Sequence, residues 1–295
     1  MSILKHLLVL AIGSMLLACG GAGKTELPEL FRPSPIASPS PIASPSPAAS
    51  PSPTASPSPI VWDDGSQLIL NQRIYSAETN YKYRYHVYLP STYSSSNRNY
   101  PLLIKTDGQW GWQGWTEAIA NAGRQLILVA IEDGGRRAFD YTLPNAEDYI
   151  KFLREDLVIE LEGNYRIDSN NRTLQGYSYG GLMSGLALLL DDPLKPTFHN
   201  ILSYDGAFWD KQAEIWTMID DRRAINRNMP TKLVLTGATQ QGNSDIVAAF
   251  ANKLKQKNFK DLRISEFYFD VNHSVASGTS LEPSLDAIYG ENGPE

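Results

Sequence analysis

From residue 68 onward the chain alternates short apolar runs with longer stretches of helical period. Residues 68–76 and 81–89 read as two strands. In the second, Tyr81, Tyr83, Tyr85, Val87 and Leu89 share one face, and Lys82, Arg84, His86 and Tyr88 share the other, which is the two-residue period of a pleated strand. No helical segment separates the two, so they predict an antiparallel start. Short buried strands follow at 101–106 and 126–131. Residues 146–162 carry an apolar stripe at helical spacing through Tyr149, Phe152, Leu153, Leu157 and either Ile159 or Leu161. Next come a strand ending at 172–175, a small apolar helix over 181–190, a strand at 200–204 and a helical stretch over 211–226. Strand 232–236, helix 244–257, strand 262–269 and a closing helix over 281–289 complete the pattern. About eight strands, the later ones separated by helices, predict an α/β fold with a mostly parallel central sheet covered on both faces.

The first sixty residues follow other rules. Lys5 and His6 precede an apolar run over 7–17 and then Ala18-Cys19-Gly20. That run is too short to span a bilayer and has the layout of a secretory signal peptide. Leu16-Leu17-Ala18-Cys19 resembles the lipobox of bacterial lipoproteins, although Leu17 is bulkier than the residue usual there. The resemblance implies cleavage before Cys19 and lipidation of that residue. Cys19 is the single cysteine of the 295 residues, so no intramolecular disulfide can form. From 33 to 59 a Ser-Pro-rich repeat recurs with a period of six residues. Its many missing amide protons exclude helix and sheet ladders, leaving an extended polyproline-like spacer. The expected organisation is a signal peptide over 1–18, a stalk over 19–60 and a globular domain over 61–295. An exported protein held at a membrane by its lipid follows, and a monomer is expected. The net charge of −6 argues against a nucleic-acid partner.

The candidate chemistry centres on Gly176-Tyr177-Ser178-Tyr179-Gly180. A strand before it and a small-residue helix after it are the setting in which G-x-S-x-G forms a nucleophile elbow. The serine must stand on a tight turn, and side chains two residues to either side would collide with the neighbouring strand or helix. About 0.1 chance matches are expected in a chain of this length, given ordinary glycine usage. An activated serine needs a general base, most often histidine, and the chain has four. His6 belongs to the signal peptide, His86 lies within a strand, and His199 precedes a strand at its N-terminal end. His273 follows the last strand, at the sheet edge where parallel sheets build their sites, and pairs with Ser178.

These pieces, with Asp107-Gly108-Gln109-Trp110, Arg137, Asp140-Tyr141-Thr142, residues 152–157, Gly206-Ala207-Phe208-Trp209 and Asn272-His273-Ser274, resemble the bacterial esterase D-like family, nearest its enterochelin esterase branch. The resemblance implies an α/β-hydrolase fold and ester or thioester hydrolysis through an acyl-enzyme; some relatives transfer the acyl group to a sugar instead. It also implies an acid a few residues past the glycine ending the strand at 232–236. There the sequence departs, reading Gly237-Ala238-Thr239-Gln240-Gln241. Three residues could orient His273: Gln240 through its amide oxygen, Asp245 farther along, or Asp205 at the end of the strand at 200–204. An uncharged or absent orienter carries the most weight of these.

The oxyanion is expected to meet the backbone N–H of Tyr179 and one from the loop containing Gln109. Trp110, Trp112 and Trp115 could stack a ring of the substrate or fill the core. Arg136 and Arg137 could grip a substrate anion or pair with local aspartates. No metal-ligand cluster, P-loop or dinucleotide fingerprint occurs, so neither metal nor cofactor is expected. The leading expectation is a lipid-anchored serine esterase acting on a small-molecule ester of aryl or siderophore type. A binding lipoprotein on a hydrolase fold and an acyltransferase to a sugar stand as alternatives.

Overall fold

The computed structural model describes residues 58–290; the signal peptide, Cys19 and most of the stalk expected from the sequence lie outside the described residues. A two-residue edge strand β1 (Ile60–Val61) is followed by β2 (Gln67–Ser76), β3 (Tyr81–Leu89) and β4 (Tyr100–Lys105). Helix α1 (Trp112–Asn121), β5 (Ile127–Ile131), the single-turn α2 (Arg137–Asp140), α3 (Ala146–Phe152) and α4 (Val158–Asn164) come next. Then β6 (Ile167–Tyr177), α5 (Tyr179–Leu190), β7 (Asn200–Tyr204), α6 (Gln212–Ile225), β8 (Lys232–Gln240), α7 (Ser244–Gln256), β9 (Arg263–Asn272) and α8 (His273–Tyr289) follow.

The strands form one sheet in the order β1-β2-β3-β5-β4-β6-β7-β8-β9. Pairing is antiparallel from β1 to β5 and parallel from β5 to β9. This is the α/β-hydrolase arrangement. Its ninth strand, beyond the eight expected from the sequence, is the edge pair Ile60 and Val61, which are too few and too exposed to leave a periodic signal.

Two apolar layers sandwich the sheet. One packs α3 and α5 to α7 on it, through residues such as Tyr149, Leu182, Ile215 and Phe250. The other packs α1 and α8, through Trp112, Trp115, Ile119 and Leu285. Strand β3 shows why simple alternation fades along its length. Tyr83, Tyr85, Val87 and Leu89 face the first layer, while His86 and Tyr88 are also buried on the opposite side. Helix α5 is apolar all round and buried over nearly its full length, as expected of a helix pressed between a sheet and other helices. Between α3 and α4 the helix widens into a π turn over Leu153–Leu157. The stripe then continues through Leu161, which is buried, and leaves Ile159 exposed.

The consequence for chemistry is positional. The parallel strands β4, β6, β7, β8 and β9 deliver Asp107, Ser178, Asp205, the loop after Gln240, and His273 to one edge of the sheet.

Candidate active site

Ser178 occupies the turn between β6 and α5 with φ 60° and ψ −114°. An L-residue adopts such a backbone only when its surroundings enforce it, at a cost of about 1–3 kcal/mol. Three hydrogen bonds enforce it here. The Ser178 N–H donates to the Tyr204 carbonyl at 2.9 Å, and its own carbonyl accepts from Leu182 at 2.9 Å and Ala207 at 3.0 Å. Gly176 permits the close approach of strand and helix, because a Cβ there would overlap the Gly180 carbonyl. Gly176→Ala is therefore expected to cost about 1–3 kcal/mol and to lower the thermal midpoint by roughly 2–12 °C in calorimetry. An unchanged midpoint would mean that the elbow is not held this tightly.

The serine is half-buried, open to solvent at the strand edge. Its Oγ lies 3.1 Å from His273 Nε2, and His273 Nδ1 lies 2.5 Å from Asp205 Oδ2. Asp205 is fully buried and takes a left-handed φ of 43° just past β7. Its other oxygen, Oδ1, accepts from the backbone N–H groups of Ala238 and Asn243, each at 2.9 Å. Two amide donors and one imidazole thus satisfy a carboxylate that burial would otherwise make costly. The partner of Nδ1 is Asp205 and neither of the alternatives. Gln240 is exposed and donates to Asp270 at 2.5 Å. Asp245 is exposed in the first turn of α7, whose cap position is held by Asn243.

The neighbours of the elbow complete the geometry. The Gly108 N–H donates to Ile131 at 2.7 Å and that of Trp110 to Asp107 at 3.0 Å. Among the described residues the N–H groups of Gln109 and Tyr179 have no protein acceptor, which suits the pair expected to receive an oxyanion. The Gln109 side chain meanwhile accepts from the Asp133 N–H at 3.2 Å and pins this loop to the one after β5.

Arg137, expected as a possible substrate clamp, is turned inward instead. It donates to Asp107 Oδ1 at 3.0 Å and to the Tyr177 carbonyl at 2.7 Å, so its role in the fold is to brace the elbow. Arg136 pairs with Asp140. Of the three tryptophans, Trp112 and Trp115 are core residues, with Trp112 stacked on His86 at 5.2 Å between centroids. Trp110 and Trp209 are 59% and 53% exposed, and Trp209 packs on Tyr179, the residue after Ser178, with centroids 5.9 Å apart.

Tyr177 was not singled out from the sequence. Its ring stacks on that of His273, with centroids 4.9 Å apart, and its hydroxyl donates to the His273 carbonyl. The residue before the serine in a G-x-S-x-G motif carries no signal of this contact, since the partner comes from the far end of the domain. Burial pushes the Tyr177 phenol up to about 12, so it stays a donor throughout the neutral range.

The sequence profile of the family described as "Putative esterase" matches residues 76–279, a span that contains Ser178, Asp205 and His273. The chain belongs to that family. Ferri-bacillibactin esterase BesA of Bacillus subtilis (strain 168) is 28% identical over 144 residues, covering 37% of this chain and 49% of that protein. The uncharacterized protein YbbA of the same organism is 25% identical over 150 residues, covering 44% and 59%. The chain thus matches about half the length of these curated relatives. Among solved structures, an IroE-like serine hydrolase from Shewanella oneidensis superposes with a TM-score of 0.67 at 22% identity, covering 76% of this chain and 80% of that one. The siderophore hydrolase EstB from Aspergillus nidulans gives 0.62 at 16% identity, covering 80% and 99%. At these identities the likeness establishes the shared fold of this family member.

Proposed function

We propose that this protein is a serine esterase that cleaves carboxylic esters through an acyl-enzyme, with aryl or siderophore-type esters as its substrate class. The observation that carries this reading is the unbroken run of hydrogen bonds from the buried Asp205 through His273 to a solvent-open Ser178. In the first step His273 Nε2 takes the Oγ proton as Oγ bonds to the ester carbonyl carbon. The carbonyl oxygen becomes an oxyanion facing the N–H groups of Gln109 and Tyr179. Collapse breaks the bond to the alcohol oxygen, which leaves with the proton from His273. Water then attacks the acyl-enzyme by the same route, giving the acid and restoring Ser178. Each oxyanion donor contributes on the order of 10²–10³ in rate.

The substrate class rests on two supports: the exposed Trp209, packed on Tyr179 next to the serine, which offers a flat face to a ring, and the activities for which BesA and EstB are named. A non-catalytic binder was suggested by the lack of an acid after β8, and the carboxylate of Asp205 on His273 removes that motive. The test is turnover of p-nitrophenyl acetate together with labelling by a fluorophosphonate. The adduct is expected on the peptide containing Ser178, and a protein that is neither labelled nor active would overturn the proposal.

The same proposal includes anchoring through lipid on Cys19, supported by the charged and apolar pattern before it. Intact-mass measurement of protein from a bacterial envelope fraction is expected to show a diacylglyceryl-modified N-terminus at Cys19, with Cys19→Ser moving the protein to the soluble fraction. An unmodified Cys19 in the envelope protein would refute it.

A further inference from the structure

A cavity of about 360 Å³ lies between the N-terminal halves of α1 and α8, on the sheet face opposite α5. Farther down, Arg124, just past α1, pairs with Glu282 at 2.9 Å and with Asp286 at 2.5 Å on α8, tying the helices together. Above that tie they part. Gly114 on α1 and Gly278 on α8 both line the gap, and a Cβ built on either meets no atom within 4 Å.

The floor is polar in a way the packing does not require. Lys105, at the end of β4, is 6% exposed and still borders the cavity. Its ammonium gives hydrogen bonds to the carbonyls of Thr106 at 2.9 Å and Asp107 at 3.1 Å, two of the three it can donate. Among the described residues it has no carboxylate within ion-pair distance; Asp107, also at the cavity, has Oδ1 on Arg137, while its buried Oδ2 has no hydrogen-bond partner. Burial lowers the Lys105 amine to about 8, so at neutral pH it is still largely a cation. Beside it on β6, Gln175 is 1% exposed and lines the same cavity, and its Oε1 has no hydrogen-bond partner. A buried cation and an unsatisfied amide cost free energy unless something pairs with them. The lining includes three aromatic side chains, Trp110, Trp115 and Tyr177. The first turns of both helices point their N–H groups toward this end, and neither carries a side-chain cap, which adds a preference for negative charge.

We infer that this crevice is a binding site for an aromatic carboxylate, its ring against these aromatic side chains and its anion on Lys105 and the Gln175 amide. The site is separate from Ser178 and His273, neither of which lines it, yet an occupant would touch Tyr177, the residue stacked on His273. The unpaired Oε1 of Gln175 is an acceptor and cannot itself meet a carboxylate; turning the amide about its last bond sets its N–H₂ toward the second carboxylate oxygen, and no hydrogen bond to Oε1 opposes that turn.

Calorimetric titration of the purified full chain with 2-naphthoate and with neutral 2-naphthamide tests this without requiring turnover, so the result is independent of the esterase reading. The acid is expected to bind at least about tenfold more tightly than the amide, the scale of one charge-assisted contact. Lys105→Met should erase that preference and leave amide binding as it was, a change that a purely structural lysine would not produce. Gly278→Leu, which grows into open space from a helical position that favours leucine, should remove binding of both. Equal binding of acid and amide to the wild type, a preference that survives Lys105→Met, or undiminished binding to Gly278→Leu would each overturn the assignment. If naphthoate also protects Ser178 from the fluorophosphonate, the crevice holds the acid arm of an ester; if labelling is undiminished while binding persists, it holds a free acid.

Discussion

Asp205→Asn is expected to lower kcat for p-nitrophenyl ester hydrolysis on the order of 10⁴-fold, the loss seen when an amide replaces the acid of a serine protease triad, with the fold intact. The reason lies in the other end of the side chain. In the protein Oδ1 accepts two backbone N–H groups, from Ala238 and Asn243. An asparagine must keep its only oxygen there, because turning its N–H₂ toward those donors would set donor against donor. The N–H₂ is therefore forced onto His273 Nδ1, which must become an acceptor. The imidazole then carries its proton on Nε2, facing Ser178, and can no longer take the serine's. Asp205→Ala should be as inactive and also less stable, since both amides lose their acceptor in a buried site at a cost of about 1–3 kcal/mol for each orphaned group. The pair of variants, compared by kinetics and by calorimetry, separates the two roles. A loss of kcat below tenfold in Asp205→Asn would mean that this carboxylate does not set the tautomer.

How much of this was legible beforehand follows the range of the interactions. Ser178 announces itself because the elbow is local: its glycines, strand and helix sit within fifteen residues. His273 could be reached by elimination, since topology fixes which strand ends share an edge. The acid could not be decided that way. Asp205 follows β7, and residues 237–241, where the family resemblance implies the acid, hold the amides Gln240 and Gln241 instead, so three candidates stay open in the sequence and an uncharged orienter takes the most weight. What decides among them is the direction of a side chain held by Ala238 and Asn243, more than thirty residues away. Helical spacing would have told Trp112 and Trp115 from Trp110, since positions 112, 115, 116 and 119 form the buried stripe of α1. The inward turn of Arg137 and the stacking of Tyr177 on His273 were out of reach for the same reason as the acid. Each depends on a partner brought close only by the folded sheet.

Ser178→Ala carries the largest expected effect, a fall in kcat on the order of 10⁶, leaving a residual turnover on the order of 10³–10⁴ over water from oxyanion donors and binding alone. Under the proposed mechanism nucleophile and base act as one unit, so adding His273→Ala to Ser178→Ala should cost little more; a second large drop would mean that the two residues act in separate steps. Stability should move the other way from activity. The alanine keeps the strained φ of 60°, so its thermal midpoint should stay near the wild type. Ser178→Gly relaxes that backbone, and recovers part of the roughly 1–3 kcal/mol held in a forced left-handed residue, offset by the greater chain entropy of glycine. The glycine variant is therefore expected to unfold at a higher temperature than the alanine variant although both are inactive. That ordering, read by calorimetry on two proteins differing by one methyl group, ties the proposed nucleophile Ser178 to the strain in its turn. The reverse ordering would show that the elbow costs the fold nothing and that its geometry needs another cause.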